Sequence, residues 1–129
     1  MKKAAFCLSL LTLLSLSSTV FAEQPSCQYS SGVAPYCSYK GKVKRVYVND
    51  RSQILLYFDT TLPVPEAEKV GYSITHGNAA IYKISNNADF AKMLYSTLLS
   101  ANTQDRNVSI QMRGVTSGYM TIDRIWFGD

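Results

Sequence analysis

The stretch Asn87-Ala88-Asp89-Phe90-Ala91-Lys92-Met93-Leu94-Tyr95-Ser96-Thr97-Leu98-Leu99-Ser100-Ala101-Asn102 decides how the rest of this chain is read. Phe90, Met93, Leu94, Thr97, Leu98 and Ala101 recur at three- and four-residue spacings and so line one face of an α-helix, while Lys92, Ser96 and Ser100 fall on the other. Asn86 and Asn87 offer an oxygen to the free N–H groups of the first turn, and Asp89 sets negative charge at the positive end of the helix dipole. No glycine closes the segment, so Asn102 is the residue expected to turn left-handed at its end. The spacing predicts one helix over residues 88–102, with Phe90, Met93, Leu94, Leu98 and Ala101 facing the core.

On both sides of it the pattern is that of strands. Residues 41–49 carry Val43, Val46, Tyr47 and Val48 and end in the turn cluster Asn49-Asp50-Arg51-Ser52. Residues 53–59 are apolar on both strand faces, which predicts a strand covered from two sides. Pro63, Pro65, Glu66 and Glu68 read as a loop. In residues 70–76, Val70, Tyr72, Ile74 and His76 alternate with small or polar residues, and Gly77-Asn78 reads as a turn into a short strand over 79–84. After the helix, Val108, Ile110 and Met112 alternate with Ser109, Gln111 and Arg113, residues 114–118 turn, and 119–127 form the last strand. The expected fold is mostly β: a small OB-fold-like barrel of five or six strands over residues 41–129, with one helix between the third and fourth main strands plugging its end. Closure removes the edges that short strands would otherwise expose. A curved open sheet crossed by the helix is the alternative.

The first residues read as a targeting segment. Met1-Lys2-Lys3 is a basic start, residues 4–20 are apolar and rich in Leu and Ser, and Val20-Phe21-Ala22 fits a small-x-small cleavage site. Residues 1–22 are therefore expected to be a signal peptide and the product exported, periplasmic or secreted, with no transmembrane segment after cleavage. Losing Lys2 and Lys3 takes 13 basic residues to 11 against 9 acidic, so the net charge falls from +4 to +2. That excludes the basic footprint of a nucleic-acid binder; the run Lys40, Lys42, Lys44, Arg45 reads as a solvated strand edge protected from pairing. Of three cysteines, Cys27 and Cys37 remain after cleavage, and an even count in an exported domain reads as a disulfide. Residues 23–40, rich in Ser, Gln, Pro and Tyr without a period, read as an N-terminal arm stapled by that bridge.

Catalytic patterns are missing. His76 is the single histidine, no Gly-x-Ser-x-Gly surrounds a serine, and Asp59-Thr60-Thr61 lacks the glycine and second copy of an aspartic-protease pair. No ligand spacing suggests a metal, and no cofactor is implied. Binding chemistry is better represented: the nine tyrosines combine a flat apolar face with a hydrogen-bonding tip. Strand propensity and core packing account for most of them. Tyr29, Tyr36 and Tyr39 lie in the non-periodic arm and are the first candidates for a contact surface, joined by the short polar side chains Ser73 and Thr75.

The helix and the following Asn107-Val108-Ser109-Ile110 resemble the helix-plus-strand segment of secreted OB-fold B subunits of bacterial toxins, the subtilase-cytotoxin and pertussis-like group. That resemblance implies a pentameric ring, a homo-oligomer that binds host glycans and carries a catalytic A subunit. Those barrels carry cysteines within their strands, whereas Cys27 and Cys37 precede the expected barrel here, and no sugar-contacting residue matches position by position. Two functions follow as expectations. One is a secreted, non-enzymatic glycan-binding module; the other is a periplasmic inhibitor, immunity or accessory protein that caps an envelope protein partner.

Overall fold

The computed structural model describes residues 23–127; the expected signal peptide, residues 1–22, lies outside the described residues. Its organising element is β2 (Val33–Asn49), long enough to pair with three other strands along its length. Its first half meets β1 (Ser26–Ser30) and β5 (Asn107–Thr116), and its second half meets β3 (Gln53–Phe58), all antiparallel. β3 continues antiparallel to β4 (Ala79–Lys83), β4 runs parallel to β6 (Tyr119–Phe127), and β6 returns antiparallel to β5. The six strands make one mixed sheet whose pairings run β2-β3-β4-β6-β5 and come back to β2. Between β4 and β5 lies α2 (Ala88–Thr103), and between β3 and β4 a one-turn helix, α1 (Val64–Glu68).

Strand alternation sorts residues onto two faces. Cys37, Tyr39, Gly41 and Val43 of β2 turn inward with Ile54, Leu56 and Phe58 of β3, Ala80 and Tyr82 of β4, Val108, Ile110 and Met112 of β5, and Met120 and Ile122 of β6. α2 covers this core with Ala91, Leu94, Leu98 and Ala101. Burial of each leucine contributes about 1.5–3 kcal/mol. The buried stripe is rotated from the one expected: Met93 is 61% exposed and Phe90 only partly buried, because the two alanines let the helix backbone approach the strands and leave the bulkier side chains at the rim.

Both ends of α2 have a physical cause. Asn87 caps the start by accepting the Phe90 N–H on its side-chain oxygen at 2.9 Å. At the other end Asp105, not Asn102, takes the left-handed conformation (φ 51°), and the N–H groups of Arg106 and Asp105 bond back to the carbonyls of Ala101 and Asn102. The side chain of Asn102 instead donates to the carbonyl of Val43, tying the helix to β2.

Four sequence expectations are corrected. Residues 23–40 are not an arm: β1 and the start of β2 form a hairpin that turns at Gly32 (φ 81°) and joins the sheet, with Cys37 and Tyr39 inside the core. The alternation was there, but its inward members were Cys, Tyr and Gly and did not read as apolar. Both cysteines consequently lie within strands, directly opposite each other, and their disulfide forms as expected. Residues 70–76 form no strand; Ile74 is buried, and Gly71 (φ 87°) ends the turn that follows α1. α1 itself stands in the proline-rich stretch read as a loop, since proline is tolerated in a helix's first turn, where its missing N–H has no partner to lose. Finally, β2 is no edge strand, so its basic residues project from a paired strand; Lys42, for one, forms an ion pair with Asp105.

Candidate functional site

A bulge in β2 builds the site. Val43 opposes Phe58 and Arg45 opposes Tyr57, so one residue too many, Lys44, sits between the two pairs. The extra residue reverses the alternation: Val43 faces in, and Arg45 faces out beside Tyr57. The same register places Tyr57 beside Ala79, and aligns Tyr47, Leu55, Ile81 and Thr121 in one row across four strands. On this outer face Leu55, Ala79 and Ile81 form a second, smaller apolar cluster roofed by Tyr57 and Tyr119. The two tyrosines have further neighbours. The Arg45 guanidinium lies 4.1 Å from the Tyr57 ring centroid, and the His76 ring stacks on Tyr119 at 4.6 Å.

The loop between α1 and β4 is pinned to this platform by backbone bonds. The N–H groups of Thr75 and His76 both donate to the carbonyl of Gly118 in the β5–β6 turn, and those of Phe58 and Leu62 donate to Asn78 and Gly77. Gly77 is required there, because a Cβ would stand 1.9 Å from the Leu62 carbonyl oxygen. Gly118 (φ 81°) is equally constrained, with the Thr75 hydroxyl 2.2 Å from where its Cβ would be.

Next to the platform opens a polar cleft of about 410 Å3 lined by Lys44, Arg45, Tyr57, Asp59, Thr61 and Asn78. It offers cationic and amide donors, a hydroxyl, one carboxylate and the flank of an aromatic ring. Burial opposes ionisation of Asp59, yet hydrogen bonds from the Tyr39 hydroxyl and the Lys42 N–H hold its carboxyl below the usual carboxylate range. Burial, and then the nearby Tyr57, raise the pKa of Tyr119 above its ordinary value. The set can hold a flat, hydroxyl-rich molecule by stacking and hydrogen bonding. Among the described residues no group of three or more His, Cys, Asp or Glu is placed to hold a metal ion, and no helix is long and apolar enough to cross a membrane.

The residues singled out from sequence scatter. Thr75 belongs here, exposed beside Gly118 and His76, and Ser73 is exposed two residues away in the same loop. Tyr29, 72% exposed, and Tyr36, whose hydroxyl donates to Gln28 and whose ring lies near Arg113, stand on the β1–β2 hairpin and do not join the platform. Tyr39 is 1% exposed, stacked on Phe58, and presents no contact surface. Arg45, Tyr57 and Tyr119 were not singled out. The signal available was β3 itself, where Tyr57 is the one residue of an apolar run with a polar tip and falls on the face opposite Leu56 and Phe58.

No protein-family model matches the chain, and neither a curated protein nor a solved structure is significantly similar to it.

Proposed function

We propose that this chain is an exported, non-enzymatic binding module of OB type that recognises carbohydrate on the Tyr57–Tyr119 platform, as a toxin B subunit would. The observation that carries the reading is the platform: two tyrosine rings over an apolar floor, flanked by Arg45 and His76, opening onto a cleft of mixed hydrogen-bonding groups. Sugar rings pair an apolar C–H face with a rim of hydroxyls, and such a surface complements both. The order of pairing supports the OB assignment, since five strands return to the first and the long helix falls between the third and fourth of them. In that architecture the face of the second and third strands is the usual place for oligosaccharides, and here these are β3 and β4.

A glycan array probed with the protein under multivalent display tests this reading. Binding that disappears in Tyr57→Ala supports it; no glycan bound at millimolar sugar sinks it. The mass in solution separates a ring from a single chain, a fivefold mass being the outcome a B-subunit-like assembly requires.

One observation favours the second reading, a periplasmic protein that caps an envelope partner. Val48, Ile54, Ile84, Ala91 and Tyr95 line an open apolar groove of about 370 Å3 between α2 and the β2–β3 hairpin, with Tyr47, Met93 and Leu99 also exposed in those elements. A stoichiometric partner recovered from envelope extract, and lost in Val48→Asp, is the result that would favour this reading over the first.

A further inference from the structure

We infer that the chain carries a second carbohydrate subsite, on the outer face of β2, β5 and β6, in which the sole tryptophan stacks one uncharged sugar ring. This leans on the carbohydrate reading above for the class of ligand, but its location rests on separate residues. Lys40 lies opposite Ser109 and Ser109 opposite Trp126, so all three project from one face; Ser38 and Ser26 pair across the neighbouring position. Together with Gln24 they line a trough of about 180 Å3, the scale of a single six-membered ring and not of a chain.

Trp126 is 52% exposed, although indole is among the side chains with most to gain from burial. None of the described residues covers it, and the surface next to it is built of short side chains. Serines are short, so they leave the indole as a wall beside an open floor, and each hydroxyl both donates and accepts. A surface made to receive another protein has a different composition, because interface centres are depleted in serine and lysine. A trough with one apolar wall and a hydroxyl floor suits a sugar: the ring's C–H face lies on the indole, and its hydroxyls exchange hydrogen bonds with Ser38 and Ser109. Charge selects among sugars. The Lys40 ammonium and the Glu23 carboxylate both line the trough, so an anionic ring would meet a carboxylate as well as a cation.

The position of the single tryptophan makes the test direct, since all indole emission comes from Trp126. The purified full chain is titrated with methyl glucoside, methyl galactoside and methyl mannoside while that emission is followed. The expected result is a saturable change with at least one of them. It persists in Tyr57→Ala and is lost in Ser109→Val, which removes the floor's hydroxyl and narrows the trough without removing the reporter and leaves the melting temperature unchanged. Trp126→Phe, which keeps a smaller ring, weakens binding several-fold when binding is read by calorimetry. No saturable change with any of the three overturns the inference, as does an emission change that follows protein concentration in the absence of sugar, the mark of a contact between chains. The array separates the two readings. Glycans bound through Tyr57 with a silent Trp126 leave the platform standing and remove only this subsite, whereas silence in both assays removes the carbohydrate reading itself.

Discussion

The hydroxyl of Tyr39 lies 2.7 Å from Oδ1 of Asp59, and this bond, across 20 residues of sequence, holds the end of β3 against the middle of β2. The same hydroxyl reaches the Lys42 carbonyl at 2.6 Å and accepts the Asp59 N–H at 3.1 Å, while Asp59 Oδ2 accepts the Lys42 N–H at 3.0 Å. A buried phenol needs such partners, because an unpaired hydroxyl in the core is costly. Gly41 makes the room: a Cβ there would lie 2.5 Å from the tyrosine oxygen and 2.7 Å from the carboxylate. Asp59 also lines the polar cleft, so the bond that fixes the strand path fixes one wall of the candidate site.

Tyr39→Phe is expected to lower stability by about 1.5–3 kcal/mol, the scale of a hydrogen bond to a charged group. Gly41→Ala should cost about 1–3 kcal/mol by forcing the pair apart. Urea denaturation of both variants checks this; a Tyr39→Phe midpoint equal to the parent's would show that the network contributes nothing.

Acid should unfold the chain partly through Asp59 and Glu66. Both carboxyls are held below their ordinary range, Asp59 by the Tyr39 and Lys42 bonds that outweigh burial, Glu66 by the Lys69 ammonium and then the Cys27 N–H. A group whose pKa is lower folded than unfolded contributes in full above its unfolded value and loses that contribution as pH falls through the folded one. The melting temperature is therefore expected to decline as pH drops from about 5 towards 2. Asp59→Asn should flatten that decline, and an unchanged acid limb in this variant would contradict the assignment.

Removing the disulfide should be tolerated but costly. The bridge joins residues 10 apart, and closing so short a loop contributes roughly 2–3 kcal/mol. The double variant Cys27→Ala, Cys37→Ala is expected to fold with its melting temperature lowered accordingly, most of the sheet being held by other pairings. Circular dichroism during thermal denaturation measures it, and complete loss of the folded state would mean the hairpin is needed for the core to form.

The loop that backs the platform depends on two glycines. Gly77→Ala should displace the Leu62 carbonyl and cost about 1–3 kcal/mol, and Gly118→Ala should add left-handed strain to its clash with Thr75. Each is expected to shift the amide resonances of Thr75 and His76 in a nuclear magnetic resonance spectrum. Spectra that match the parent at these two positions would mean that the loop is not pinned through Gly118.

On glycan binding, Tyr57→Ala and Tyr119→Ala are expected to weaken affinity at least several-fold while the sheet stays intact, because both rings lie on the outer face. Tyr29→Ala and Tyr36→Ala should leave that affinity unchanged. The opposite ranking in calorimetric titrations would move the site to the β1–β2 hairpin.

Local periodicity made much of the scaffold legible. The helix appears at Ala88–Thr103 with Asn87 as its cap, β3 is covered on both faces, and the disulfide joins the two cysteines expected to pair. Patterns failed where the inward residues were not conventionally apolar, as at Cys37, Tyr39 and Gly41, and where alternation had no neighbour to pair with, as over residues 70–76. The candidate site was less legible still. Of the residues chosen for their chemistry, Thr75 reaches the platform, Tyr39 is consumed by the core and Tyr29 and Tyr36 stand elsewhere.

What the sequence determined by itself is local: the strands flanking the helix where apolar residues alternate or run on, where the helix begins, which cysteines pair. Each depends on spacing along the chain, and spacing is written in the chain. Only the tertiary structure decided which tyrosines meet. Tyr57 and Tyr119 come from strands far apart in sequence, with β4 between them, and Arg45 joins them only because one extra residue in β2 turns it outward. Such an arrangement depends on register between strands, which is a property of pairs of segments, and no single segment contains it.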